Sequence, residues 1–193
     1  MSSSATPYGA RPVGTLSASG SFSGKVRHYS IASGYATSIF YGDFVKLVAA
    51  GGVEKDTGTT ACTPVGIFLG VSYTDPNTSQ KTFSQMWTAS VVASDASAYV
   101  MDDPDVLFEM QGDGTGAQTV IGNNVAVVQT AGSTTIGTSK NAIDISTVAA
   151  TTATLPIRIV DISSKSDNAA GDAYTDLVVK FNAGHIMRNT TGI

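Results

Sequence analysis

The sequence predicts an all-β protein, a barrel or sandwich of antiparallel strands with long loops. Short runs rich in β-branched and aromatic residues recur along the chain. Turn residues separate them at fairly even spacing. No long stretch carries the period of an amphipathic helix, and no repeat of fixed length is visible.

Residues 1–24 read as an extended N-terminal arm. Ser and Gly dominate them, and Pro7 and Pro12 push the preceding residues away from helix. The arm holds Pro7-Tyr8-Gly9-Ala10-Arg11-Pro12-Val13, and a free tail rarely needs such an aromatic and cation. It is therefore expected to dock on a neighbour, with a disordered leader as the alternative, and residues 2–13 are expected to be dispensable for folding. Residues 25–193 are expected to form a single β domain.

Lys25–Ile31 alternates, with Val26, His28 and Ser30 on one face and Arg27, Tyr29 and Ile31 on the other. Residues 37–41 and 44–48 flank a Gly42-Asp43 turn, and Gly51-Gly52 ends that pair. Residues 65–73 form a strand in which Gly66 and Gly70 mark bulges or close approaches. After a turn at residues 74–77, strands follow at 81–88, 98–101 and 106–111. Gly112–Gly116 is a loop, and residues 117–123 hold at most one short helix. Strands at 125–129, 143–146, 154–162 and 175–182 complete the set, with residues 129–139 as a Ser/Thr-rich loop.

Charged residues are scarce. Asp, Glu, Lys and Arg make up 13% of the chain, against about 25% in ordinary soluble proteins. A solubilising surface normally needs charge, so this composition points to an assembly component with much of its outside covered by partners. Hydrophobic residues make up 42%, which is not a disordered composition. The net charge is −4 and the basic residues are scattered, which argues against a nucleic-acid partner. No apolar run reaches membrane-spanning length, and the N-terminus lacks the pattern of a signal peptide. Synthesis in a cytoplasm and no membrane partner are the expectation. Cys62 is the single cysteine and reads as a small buried hydrophobe.

The densest acidic cluster is Asp102-Asp103-Pro104-Asp105. A tight turn capped by Asp side chains is the first reading, with a cation site or an intersubunit salt bridge as alternatives. A glycosidase carboxylate pair lacks a sugar platform beyond Trp87 and scattered Tyr. Gly112–Gly116 has no following Lys, as a phosphate loop would. His28, His185 and Cys62 lack zinc-ligand spacing. Gly20-Ser-Phe-Ser-Gly24 puts Phe where a nucleophile elbow puts Ser. No enzyme activity, catalytic residue, metal or cofactor is assigned. Most aromatics between Tyr35 and Trp87 should be core; Tyr8, Tyr41 and Trp87 are contact candidates.

Several segments together resemble small structural proteins of tailed bacteriophages, of the capsid decoration or cement type. They are Pro7–Val13, Lys25–Ile31, Ile39–Leu47, Pro64–Gly70, Asp102–Glu109, Thr154–Ile159 and Val178–Asn182, and their order spans nearly the whole chain. The resemblance implies a virion protein on the outer surface of an HK97-like head. It further implies a homotrimer whose partner is the major capsid protein, with no small-molecule substrate. Candidate interface residues are Pro7, Tyr8, Arg11, Pro12, Tyr41 and Trp87. The competing reading is a tail- or fibre-associated module that binds a receptor.

Overall fold

The structure, a computed structural model, describes residues 4–16, 24–182, 184–190 and 192–193. Residues 1–3 and 17–23 of the expected arm lie outside the described residues. Among those described, the strands are β1 (Arg11–Thr15), β2 (Arg27–Ser30), β3 (Ile39–Phe40), β4 (Phe44–Leu47), β5 (Val53–Lys55), β6 (Pro64–Thr74) and β7 (Lys81–Ser84). They continue as β8 (Met86–Trp87), β9 (Ser97–Met101), β10 (Val106–Gln111), β11 (Asn124–Val128), β12 (Ala142–Ala149), β13 (Ile157–Ile162) and β14 (Asp176–Phe181).

One antiparallel sheet has the order β1-β10-β14-β13-β11-β12. A second has the order β2-β9-β6-β4-β5, with β7 pairing the far half of β6, and β3 pairs β8 separately. The arrangement is sandwich-like and not a closed barrel. The expected short helix is a single 3-10 turn, Gln118–Val120. Gly116 and Gly122 bracket this stretch, and its β-branched residues favour strands over helix.

Strand β6 explains the layering. Its side chains are buried on both faces, so it reads as a continuous apolar run instead of an alternating one. Ile67 and Leu69 pack toward the first sheet; Val65, Phe68, Val71 and Tyr73 pack into a second core. On β4, Phe44 joins the first core and Val45 the second. Phe44, Phe108 and Phe181 meet with ring centroids 4.8–5.7 Å apart and tie the two sheets together. Each such side chain contributes about 1.5–3 kcal/mol on full burial. Gly66 is a close approach, as its position in the run predicts: a Cβ there would collide with the Met101 carbonyl.

Two sequence readings change here. Trp87 is fully buried, not a surface contact residue. Its ring meets Tyr73 at 5.6 Å, and its indole N–H donates to the Tyr35 carbonyl at 3.3 Å. The short β3–β8 pair holds it there by aligning Trp87 with Ile39. The expected arm also contributes to the domain. β1 pairs β10, and Ala10 is fully buried in the first core. Cutting the chain after Val13 would therefore remove core contacts and part of a strand, and is expected to lower stability.

Candidate functional site

The N-terminal segment is held by side chains far away in sequence. The Gln111 amide grips its backbone from both sides: Oε1 accepts the Thr6 N–H at 2.8 Å, and Nε2 donates to the Ser4 carbonyl at 3.5 Å. Next, Gly9 N–H donates to Asn141 O at 3.2 Å and Ala10 N–H to Gly42 O at 2.9 Å. Gly9 has φ +73°, and a Cβ there would run into Ser139, so no other residue fits without strain.

Between these anchors sits half-buried Tyr8. The Arg11 guanidinium lies over its ring at 4.1 Å, and Lys165 Nζ lies 5.2 Å from the ring centre. Lys165 Nζ also bridges Glu109 Oε1 at 2.7 Å and Asp176 Oδ2 at 2.9 Å. The register explains this cluster. Gln111 pairs with Asp176 and Glu109 with Val178, so all lie on the sheet face opposite Phe108 and Met110. Burial, then the charges of Asp176 and Glu109, holds the Tyr8 phenol well above its ordinary value. Burial lowers Lys165, but its hydrogen bonds to Glu109 and Asp176 outweigh that and raise it.

Gln111→Ala is expected to loosen this segment without unfolding the domain. Losing two backbone partners costs about 1–2 kcal/mol locally. Hydrogen exchange should show faster exchange at Thr6, with β14 unchanged; unaltered protection at Thr6 would refute the clamp.

Across a shallow, open groove of about 590 Å³ stands a second wall, formed by Ile136, Thr138 and Lys140. Residues 5–8 and Arg11 form the first wall. Backbone pairing to Tyr41 supports the second: Tyr41 N–H donates to Gly137 O at 3.0 Å, and Ser139 N–H to Tyr41 O at 2.9 Å. Buried Asp43 braces it from behind, accepting from Ser139 Oγ at 2.6 Å and Asn141 Nδ2 at 3.2 Å while pairing with Lys55 Nζ at 2.9 Å.

Of the sequence candidates, Pro7, Tyr8 and Arg11 line this groove, and half-buried Tyr41 backs it. Pro12 sits on β1 opposite Phe108. Sequence reading missed Gln111, Lys165 and the 136–140 wall. Ile136, a lone large apolar residue in a Ser/Thr-rich loop, was the one available signal; it is 63% exposed.

The acidic cluster is both a capped turn and a set of intrachain ion pairs. Asp103 Oδ1 accepts the Asp105 N–H at 2.9 Å. Buried Asp102 pairs with Arg27 at 3.1 Å and accepts the Tyr29 hydroxyl at 2.7 Å, while Asp105 pairs with Arg188. Burial, then Asp102, pushes the Tyr29 phenol up to about 12. Cys62 is buried, its Sγ donating to Gly58 O at 3.0 Å, and burial raises its thiol to about 12. Such a thiol is unreactive at neutral pH.

Comparison with protein-family models, with curated proteins and with solved structures finds no match for this chain.

Proposed function

We propose that this chain is a structural protein of a tailed-phage virion, which sits outside the head and clips neighbouring major-capsid subunits. The observation that carries the reading is a surface poor in charge that exposes large apolar side chains. Phe83 is 72% exposed, Val92 66%, Ile136 63%, Val13 50% and Leu16 44%. Interface centres are depleted of Lys, Glu and Asp in the same way. The resemblance of the ordered segments to cement proteins supports the major capsid protein as the partner. A packaged genome pushes a shell outward, and clips across capsomer boundaries oppose separation. Several linked copies reach high avidity from modest single contacts.

Purified protein mixed with expanded heads lacking it should co-sediment, and electron microscopy should find hundreds of copies on the outer surface. Absence of binding, or a few copies confined to the tail, would overturn the reading. Phe83 lies on the short strand β7, which pairs only with β6 among the described strands. Phe83→Ser is expected to leave stability within about 0.5 kcal/mol while weakening head binding. Binding equal to wild type would remove β7 from the docking surface.

A further inference from the structure

We infer that the groove between the N-terminal segment and the 136–140 wall receives an extended, acidic segment of a partner polypeptide, with its carboxylates on Arg11 and Lys140. The partner's identity rests on the capsid reading; the chemistry of the groove does not.

Arg11 and Lys140 are both exposed at the groove, and its lining holds no carboxylate. Neither makes an ion pair with a described residue, whereas Lys165 nearby is already held by Glu109 and Asp176. Both line one groove on a chain of net charge −4, and Glu109, which faces Arg11 across the β1–β10 register, is taken by Lys165. A local positive rim on an acidic protein selects and steers an acidic partner. Stacking on Tyr8 fixes the Arg11 guanidinium in advance, while its planar set of donors suits a carboxylate.

Apart from Thr6 and Thr138, the rest of the lining is apolar, from Ala5, Pro7, the Tyr8 ring and Ile136. An extended peptide projects alternate side chains to opposite sides, so acidic residues reach the rim while an aliphatic one packs on Ile136. Gln111, Gly9 and the Asp43 network hold both walls in place beforehand, which lowers the ordering cost of binding.

The test uses a fluorescent ten-residue peptide alternating Glu and Leu, and its counterpart with Lys in place of Glu, titrated against the full chain. The Glu peptide should bind and the Lys peptide should not. Binding should weaken with added salt, and amide shifts should be confined to residues 5–11 and 136–140. The double variant Arg11→Gln/Lys140→Gln should bind about tenfold more weakly, about 1.4 kcal/mol, with an unchanged circular dichroism spectrum. Ile136→Ser should weaken binding at every salt concentration. Equal binding of both peptides, or by wild type and the double variant, overturns the inference. Heads separate it from the capsid reading. If heads bind wild type and the double variant equally, this groove is not the docking site. If the Glu peptide binds as expected but wild type ignores heads, the groove stands and the capsid assignment falls.

Discussion

Replacing Asp43 with alanine is expected to lower the unfolding free energy by about 3–5 kcal/mol, the usual cost of leaving one partner of a buried ion pair alone. Asp43 has no exposed surface, and the Lys55 side chain facing it is only 10% exposed. Its carboxylate joins elements distant in sequence. Oδ2 accepts the Phe40 N–H at 3.0 Å and pairs with Lys55, while Oδ1 takes Ser139 and Asn141. Alanine leaves an ammonium and three donors without their acceptor, in a site that water reaches poorly. The loss should also free the Thr138–Lys140 wall, so peptide binding should fall with stability.

Urea unfolding of Asp43→Ala, Lys55→Met and the double variant decides the matter. The double variant should lose less than the two single losses combined, by about 1–3 kcal/mol, because removing the orphaned ammonium relieves part of the penalty. A loss under about 1 kcal/mol for Asp43→Ala, or simple additivity, would show that the network contributes little. Should Asp43→Ala not fold, Ser139→Ala reads the same network through one charged hydrogen bond, at about 1.5–3 kcal/mol.

The strands legible in the sequence were those whose residues alternate or run apolar without interruption. β2, β4, β6, β10 and β14 lie where Lys25–Ile31, Phe44–Val48, Val65–Tyr73, Val106–Gln111 and Thr175–Asn182 place them. β1 was hidden because Pro12 and Gly14 read as breakers. Both are tolerated at the edge of a sheet, and a register shift between them absorbs the mismatch. β5 was hidden by its length, three residues straight after Gly51-Gly52. The choice between barrel and sandwich depends on which strands pair, and alternation carries no such information. The site divides the same way. Pro7, Tyr8 and Arg11 are neighbours in sequence, and their composition marks them. Gln111 meets Thr6 across 105 residues, and only the fold brings them together. Trp87 looked like an interface anchor because its size suits either place; its pairing with Ile39 decides for the core.

Acid is expected to weaken the fold through His185. This imidazole is fully buried, with its ring centroid 5.1 Å from that of Phe181, and Nδ1 accepts the Met187 N–H at 3.3 Å. Burial, then the charge of Arg188, pulls it down from 6.5 to about 4, against Asp102, Asp103 and the Val65 backbone. The unfolded chain therefore binds this proton before the folded one does. The resulting stability is present in full above pH 6.5 and is lost as pH falls from there toward 4. A displacement of this size is worth about 3 kcal/mol, or roughly 6–12 °C in Tm for a chain this long. Protonation also takes the Nδ1 lone pair from Met187, so the 3-10 turn Ile186–Arg188 should open first. His185→Asn can still accept the Met187 N–H but does not titrate. It should be less stable than wild type at neutral pH, with a smaller further loss on acidification. Every other group that titrates in acid is common to both proteins, so the difference between the two melting curves is the quantity that isolates His185. Parallel curves between pH 7 and pH 4, or an imidazole that titrates by NMR near 6.5 in the folded protein, would refute this assignment.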